Sequence, residues 1–419
     1  MSMEFKQLFR LKDIELKEKR VFRDSIHGYI HVDHYIIWKL INSEQMQRLR
    51  RIKQLGGTNQ VFPTAEHSRF THSLGVYEIV RKMLDTECLK NELSDYDKLC
   101  VMIAGLLHDI GHGPFSHSFE HVFHTSHENM TIQMILEDTE VNNSLRSLYD
   151  QLPLDIVSII NKTHNNPILI QMISSQLDAD RMDYLLRDSY MTGTTYGHFD
   201  MSRILRTMRI YNGKIVFKES GVLAIENYIL ARYHMYWQVY LHPTSRSYEQ
   251  LLISIFNRLR DLYKTNYAFK TDMKYLNSFF NNNMSLKEYM CLDEMLIEYY
   301  FREFTLEEDS ILSDLCYRFL NRKLLKFKEL TNKEEFKQIQ SIALKHNYNP
   351  KYYVFRDNQT KIPYHYYGTS NELNEIQILT KNGLLPLPKV SEIVYAIVHT
   401  KKNKEDHKVF FPKEIKNEI

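Results

Sequence analysis

The chain has almost no excess charge of either sign: among its 419 residues, 54 basic and 52 acidic side chains leave a net charge of +2. So even a balance provides no strong field for nucleic acid, and a purely electrostatic DNA or RNA binder is not expected. Cysteine is scarce. Cys88, Cys100, Cys291 and Cys316 have no paired spacing, which argues against a disulfide framework and reads as reduced thiols in a cytoplasmic protein. No apolar run approaches the ~18 residues of a membrane span, and the opening Met-Ser-Met-Glu-Phe-Lys lacks an apolar stretch, so neither spanning nor secretion is expected. No internal repeat is visible. What is present is a soluble globular composition, 43% hydrophobic and 25% charged, in a chain long enough for two or three domains.

Chemistry-bearing side chains sit on apolar helices. The run Leu99 to Leu107 is apolar all round and ends directly in His108-Asp109. Val76, Ile79, Val80 and Met83 follow His72 at helical spacing, so its imidazole leaves from a core-facing stripe. Asp180 lies likewise between Ile173 and Leu177 on one side and Tyr184 on the other. Burying such groups without partners is costly, so their placement implies a site. A lone histidine on an apolar face reads as a hydrogen-bonded core residue. Three helices offering His, His-Asp and Asp to one interior read as a divalent metal site with nitrogen and oxygen ligands. Fe, Mn, Ni or Zn suits imidazole plus carboxylate, and Mg is also compatible.

The ordered set His72, His108-Asp109 and Asp180 resembles the HD superfamily of metal-dependent phosphohydrolases. Longer stretches are similar to its deoxynucleoside triphosphate (dNTP) triphosphohydrolases: Arg23-Asp24-Ser-Ile-His27-Gly28, Gln47 to Gly57, Val61-Phe-Pro63, Arg69-Phe-Thr-His72-Ser-Leu-Gly75, His108 to His117, and Asp178-Ala-Asp180-Arg181-Met-Asp-Tyr184-Leu-Leu-Arg-Asp188. The likeness runs from about Arg20 to Arg246 and more weakly to the C-terminus. It implies that His72, His108, Asp109 and Asp180 bind the ion, and that a dNTP is cleaved to deoxynucleoside and inorganic triphosphate. A bound metal lowers the pKa of water from ~16 toward ~7. His117 is then the expected proton donor to the leaving 5′-oxygen, Glu120 its orienting partner, and His112 with His127 and Glu128 the groups near the α-phosphate or attacking water.

The resemblance also implies a substrate pocket. Arg69, Arg181 and Arg232 match phosphate contacts, for which a planar guanidinium is suited. Taken singly, each arginine reads as a solvated helix face. Tyr184, Asp188, Tyr240 and His242 match the sugar pocket, with Asp188 accepting from the 3′-hydroxyl and an aromatic ring excluding a 2′-hydroxyl. Gln54 and Leu55 would border sugar and base. Arg20, Val21, Asn42, Gln47 and Arg50 match the positions at which an activating nucleotide binds between subunits, and a homotetramer is the implied assembly. Asn42 stands where the animal enzyme has an aspartate, which puts guanine specificity there in doubt. Pro243 replaces a lysine used around nucleotide phosphates.

The fold class expected is mainly α: a helical core at 1–265, interrupted by a small β-hairpin at Asn212-Gly213, and a C-terminal α+β lobe at 266–419. A strand is expected at Tyr29 to Val32, a helix N-cap at Asp33 and a loop at Asn277 to Asn283. Arg322 to Lys337 reads as a solvated helix face. Beyond Pro350, strands are expected at Tyr352 to Phe355, Tyr364 to Tyr367 and Ile376 to Leu379, with Val409 to Pro412 enclosed in a basic segment. Two other readings stay open: an HD phosphohydrolase for another phosphoester, and a nucleotide- or nucleic-acid-binding module with weak catalysis.

Overall fold

In the computed structural model, residues 6–123, 125–281, 284–360, 375–399 and 405–419 are described. Strands β1 (Glu15–Asp24) and β2 (Gly28–His34) form an antiparallel hairpin whose turn holds Ser25 to His27. Its inner face buries Ile30 and Val32. The expected helix N-cap at Asp33 falls one residue early, since His34 takes that position. Strand β2 runs on through His34 because Asp33 is engaged by Arg81 at 2.9 Å and Lys19 at 3.4 Å, and the next helix starts at Tyr35.

Three helices then build the interior. Helix α1 (Arg69–Leu84) is buried over most of its length, and α2 (Asp95–Leu107) buries every residue from Leu99 to Leu107. Ser94 accepts from the Asp97 amide to cap α2, and two aspartates in its first turn favour the positive end of the dipole. After α3 (His117–Phe123) and α4 (His127–Leu136), helix α5 (Ala179–Thr192) packs across α1. Asp178 caps α5 through the Arg181 amide at 2.7 Å, and Gly193 ends it in the left-handed conformation at φ 70°.

The expected hairpin is present as β3 (Met208–Tyr211) and β4 (Lys214–Lys218), turning at Asn212-Gly213 with both residues at positive φ. Helices α6 (Val222–Met235) and α7 (Pro243–Lys264) follow, joined through a π-helical turn at Tyr236–Tyr240. The 265/266 position falls at the end of α7, but the apolar interior does not stop there. Phe119 stacks edge-on with Phe256 and Phe279, and Phe115 packs against Phe301 and Phe319. Strand β4 also pairs in parallel with a strand from near the C-terminus.

Beyond α7, helices α8 (Glu294–Phe304), α9 (Ser310–Leu320) and α10 (Lys333–Lys345) alternate with short strands. Strands β5 (Lys326–Glu329), β6 (Phe355–Thr360) and β9 (Glu405–Phe411) form one antiparallel sheet in the order β5-β9-β6. Strands β7 (Gln377–Thr380) and β8 (Gly383–Pro386) extend the hairpin to β3-β4-β7-β8. Three expectations change here. Tyr352 and Tyr353 are helical because Asn349 caps a turn that Pro350 opens, and β6 begins only at Phe355. Asn277–Phe280 is a helical turn that buries Phe279 rather than a loop. The Arg322 to Lys337 stretch divides into the exposed strand β5 and the start of α10, which Asn332 caps. Tyr364 to Tyr367 lie outside the described residues. The whole is mainly α with small sheets, and among the described residues no helix is long and apolar enough to cross a membrane.

Candidate active site

Helix α1 supplies His72 from its first turn, α2 stops at His108, Asp109 follows, and the start of α5 supplies Asp180. The His72 Nε2 atom lies 3.1 Å from Asp180 Oδ1 and 3.8 Å from Asp109 Oδ2. His108 Nε2 lies 3.4 Å from Asp109 Oδ1 and 3.7 Å from Asp180 Oδ1. Both Nε2 atoms are buried and make no hydrogen bond. Two imidazole nitrogens left without a donor or acceptor, converging on two carboxylates, fit a divalent cation. The His72 side chain is 1% exposed and that of Asp180 31%, so the cluster opens toward Asp180.

Partners behind the ligands set their orientation. His108 Nδ1 donates to the Gly105 carbonyl at 2.9 Å, and His72 Nδ1 donates to Asp183 Oδ2 at 2.9 Å, so in each ring Nε2 is the nitrogen that faces inward. Asp183 is wholly buried and also binds Arg187. Space for this pair exists only because residue 75 is glycine: a Cβ there would stand 1.9 Å from Asp183 Oδ1 and 2.4 Å from Arg187 Nη2. Burial opposes a charged His72 ring, but the carboxylates of Asp180 and Asp183 outweigh it and raise its pKa to about 10. Burial also opposes charge on His108, and Asp109 and Asp180 outweigh it upward. The cluster therefore attracts positive charge, and a cation entering it would displace protons.

A second group shares Asp109. His112 Nε2 is 3.5 Å from Asp109 Oδ1, and the His112 ring stacks on His127 with centroids 3.9 Å apart. Burial and the nearby Arg69 guanidinium hold the His112 pKa well below the usual histidine value. His127 moves the other way: burial opposes its charge, but Glu120, which accepts from His127 Nδ1 at 2.7 Å and from its amide at 2.8 Å, raises it. The sequence paired Glu120 with His117. The structure joins Glu120 to His127, and the His117 side chain lies outside the described part of the structure. Glu128 is exposed on the first turn of α4. Arg69 donates to Asp109 Oδ2 at 2.6 Å and grips Ser116 Oγ at 2.9 and 3.0 Å, placing a buried cation beside the cluster.

The loop carrying these groups is braced from far along the chain. The buried Arg48 guanidinium donates to the His112 carbonyl at 2.7 Å and to the Leu292 carbonyl at 2.8 and 3.0 Å. Tyr289 Oη donates to the Gly111 carbonyl at 2.7 Å. Glu294 Oε1 accepts from the amides of Phe115 and Lys53, which helps hold Phe115 and Ser116 at φ 56° and 49°.

The residues expected to hold substrate are carried by α5, by α6 and by the turn after it. Arg181 is tied to Asp178, but its Nε is buried and unpartnered. Arg232 is 5% exposed and leaves Nε and Nη1 without partners. Both guanidinium charges act on Tyr184, whose ring lies 6.2 Å from that of Tyr240. Asp188 already accepts from Tyr240 Oη and from His67 Nε2, each at 2.8 Å. His242 caps α7, its Nδ1 accepting from the Thr244 amide, and Gln54 and Leu55 are half-buried. The expected regulatory positions lie near one another around Trp38. Arg20 stacks over Trp38, Asn42 donates to the Trp38 carbonyl, Gln47 to that of Ile41, and Arg50 to Gln47; Val21 is exposed.

Asp183, Asp178, His27, Asp24, Arg187, Ser116 and Arg48 lie in the family-like stretches of the sequence but had no assigned role there, and His67, Tyr289 and Glu294 were not singled out. One signal for Asp183 was available, since it stands one helical turn after Asp180 and shares its face. Asp178 and Arg187 also had local signals, a capping position three residues before Arg181 and a partner four residues from Asp183; His27, His67, Ser116 and the Arg48 brace reach the site across more than forty residues and leave no local pattern.

Fold and cluster together define the HD-domain class. The chain belongs to that family of metal-dependent phosphohydrolases: residues 69–188 match the HD domain and 199–419 the HD associated region. It is 47% identical over 409 residues to YwfO of Bacillus subtilis, covering 96% of this chain and 94% of that one. It is 31% identical over 283 residues to a Dictyostelium discoideum homologue of the deoxynucleoside triphosphate triphosphohydrolase SAMHD1, covering 62% of this chain and 53% of that one. A crystal structure of a phosphohydrolase from Bacteroides thetaiotaomicron superimposes with a TM-score of 0.83 at 28% identity, covering 94% of this chain and all of that one.

Proposed function

We propose that this protein is a metal-dependent dNTP triphosphohydrolase releasing deoxynucleoside and intact triphosphate. The observation that carries the reading is Arg232, a guanidinium held almost without solvent and with two nitrogens unpaired, acting with Arg181 on the Tyr184 side of the cleft. A buried cation without a partner is strongly unfavourable, and a polyphosphate would supply the missing acceptors. The metal, when bound by His72, His108, Asp109 and Asp180, supplies Lewis acidity at the α-phosphate. Arg181 and Arg232 hold the phosphate chain, while Tyr184 and Tyr240 flank the sugar. Asp188, held in place by His67 and Tyr240, is aimed at the 3′-hydroxyl. His112 and the His127–Glu120 pair stand beside Asp109, where water must be oriented. Protonation of the leaving 5′-oxygen by His117 rests on the resemblance.

The face around Trp38 is the corresponding place for an activating nucleotide between subunits of a homotetramer, with residues 1–265 as catalytic core and 266–419 as the lobe that braces it. The deciding experiment incubates the protein and Mn²⁺ with each dNTP, alone and in pairs, and separates products by anion exchange. Deoxynucleoside plus triphosphate is expected. Monophosphate or diphosphate would sink the reading in favour of another phosphoester reaction.

A further inference from the structure

The turn between β1 and β2 lies outside the segment matched to the HD domain, yet it reaches the back of the metal cluster. His27 in that turn has a side chain with no exposed surface, and its Nε2 lies 2.7 Å from Asp183 Oδ1. The other Asp183 oxygen accepts from His72 Nδ1 at 2.9 Å. We infer that His27 is a positioning residue for the metal ligand His72, acting through the shared carboxylate of Asp183.

The direction of each bond follows from the groups present. The Lys82 ammonium, which can only donate, stands 3.4 Å from His27 Nδ1. That nitrogen is the acceptor, so Nε2 carries the ring proton and donates to Asp183. Asp183 in turn accepts from His72 Nδ1, which leaves His72 Nε2 as the nitrogen facing Asp109 and Asp180. Arg187 completes the set, donating to both Asp183 oxygens at 2.8 and 2.9 Å and to Asp24 Oδ2 at 2.8 Å. Asp24 closes the turn, Oδ1 accepting from the amides of Ile26 and His27 at 2.9 Å each. Every donor around Asp183 therefore has one acceptor to serve. Removing His27 leaves Asp183 Oδ1 with the Arg187 guanidinium as its one remaining donor among these groups, and the carboxylate can then turn toward Arg187 and away from His72. The consequence is a weaker metal site with the ligands themselves intact.

The inference rests on the metal reading of the cluster, and Co²⁺ titration of the metal-stripped full-length protein, followed by visible absorption, tests the two separately. Wild type that binds no Co²⁺ overturns the metal reading and this inference with it. Given wild-type binding, His27→Ala is expected to weaken Co²⁺ affinity by roughly 10- to 100-fold. His27→Gln, whose amide donates from nearly the same point, is expected to recover most of that loss. Unchanged affinity in His27→Ala, or equal loss in both variants, overturns the positioning role. Should His27→Ala fail to fold, Lys82→Met removes only the group that fixes the His27 tautomer. It is expected to lower Co²⁺ affinity several-fold, and wild-type affinity there overturns the inference.

Discussion

The metal wall, around His72 and His108, and the arginine wall, around Arg181 and Arg232, satisfy their polar groups in opposite ways. On the metal wall, the ring nitrogens of His72 and His108 that face away from the cluster meet Asp183 and the Gly105 carbonyl, and Asp183 is itself held by His27 and Arg187. On the arginine wall, Arg232 and Arg181 keep buried nitrogens with no partner. Buried polar groups are ordinarily paired, and an unpaired charge in a dry interior is strongly unfavourable. The first wall is complete apart from a cation. The second lacks acceptors, and on the proposed reading a polyphosphate supplies them, so that part of its binding energy relieves a penalty already present in the fold.

The largest expected effect tests the metal wall. Replacing His108 and Asp109 together by Ala should abolish metal binding and turnover, and retained hydrolysis would break the assignment. The next tests the other wall. Arg232→Ala is expected to lower kcat/KM by about 10²- to 10³-fold, the range for a lost charge-stabilising donor, while thermal stability stays level or rises because an unpaired buried cation is gone. A large drop in Tm would show that Arg232 is structural and erase the contrast.

Gly75→Ala acts on the metal wall through packing alone. Its Cβ would collide with Asp183 and Arg187, and a loss of about 3 kcal/mol in denaturant unfolding is expected. Stability within experimental error of wild type would show that the His72 to Asp183 frame is loose.

The smallest effect concerns a flaw in the braced side. Glu294 is 3% exposed, one of its oxygens lacks a partner, and burial raises its pKa to about 7 despite the amides of Lys53 and Phe115. Because the folded value lies above the ordinary 4.5, its favourable contribution is fully present below about pH 4.5 and is lost as pH rises through about 7. Glu294→Gln should flatten that segment of the stability profile, by up to about 3 kcal/mol. An unchanged pH profile would mean that Glu294 is not buried as a charged group.

Legibility followed range along the chain. His72, His108, Asp109 and Asp180 were visible because each interrupts an apolar helical stripe, and the Asn212-Gly213 hairpin because turn chemistry is local. The pairing of β4 with β7 was not visible, since a parallel neighbour more than 150 residues away leaves no spacing to read. Glu120 was joined to His117 by helical periodicity, whereas the next turn of chain brings His127 onto the same carboxylate. Tyr352 and Tyr353 look like strand residues by propensity, but Asn349 and Pro350 start a helical turn and decide otherwise.

By itself, then, the sequence determined which atoms could serve as ligands and on which helices they ride, because side-chain chemistry and the 3.6-residue period are properties of short segments. Tertiary structure alone decided which nitrogen of the His72 imidazole faces inward, which arginine stays unpaired, and that a turn at His27 and a strap at Tyr289 to Glu294 hold the site from outside it. Those outcomes depend on groups meeting across 47 to 244 positions, as with Arg69 on Ser116 and Arg48 on Leu292. Only the packed interior, where an unmade hydrogen bond is costly, selects among such meetings.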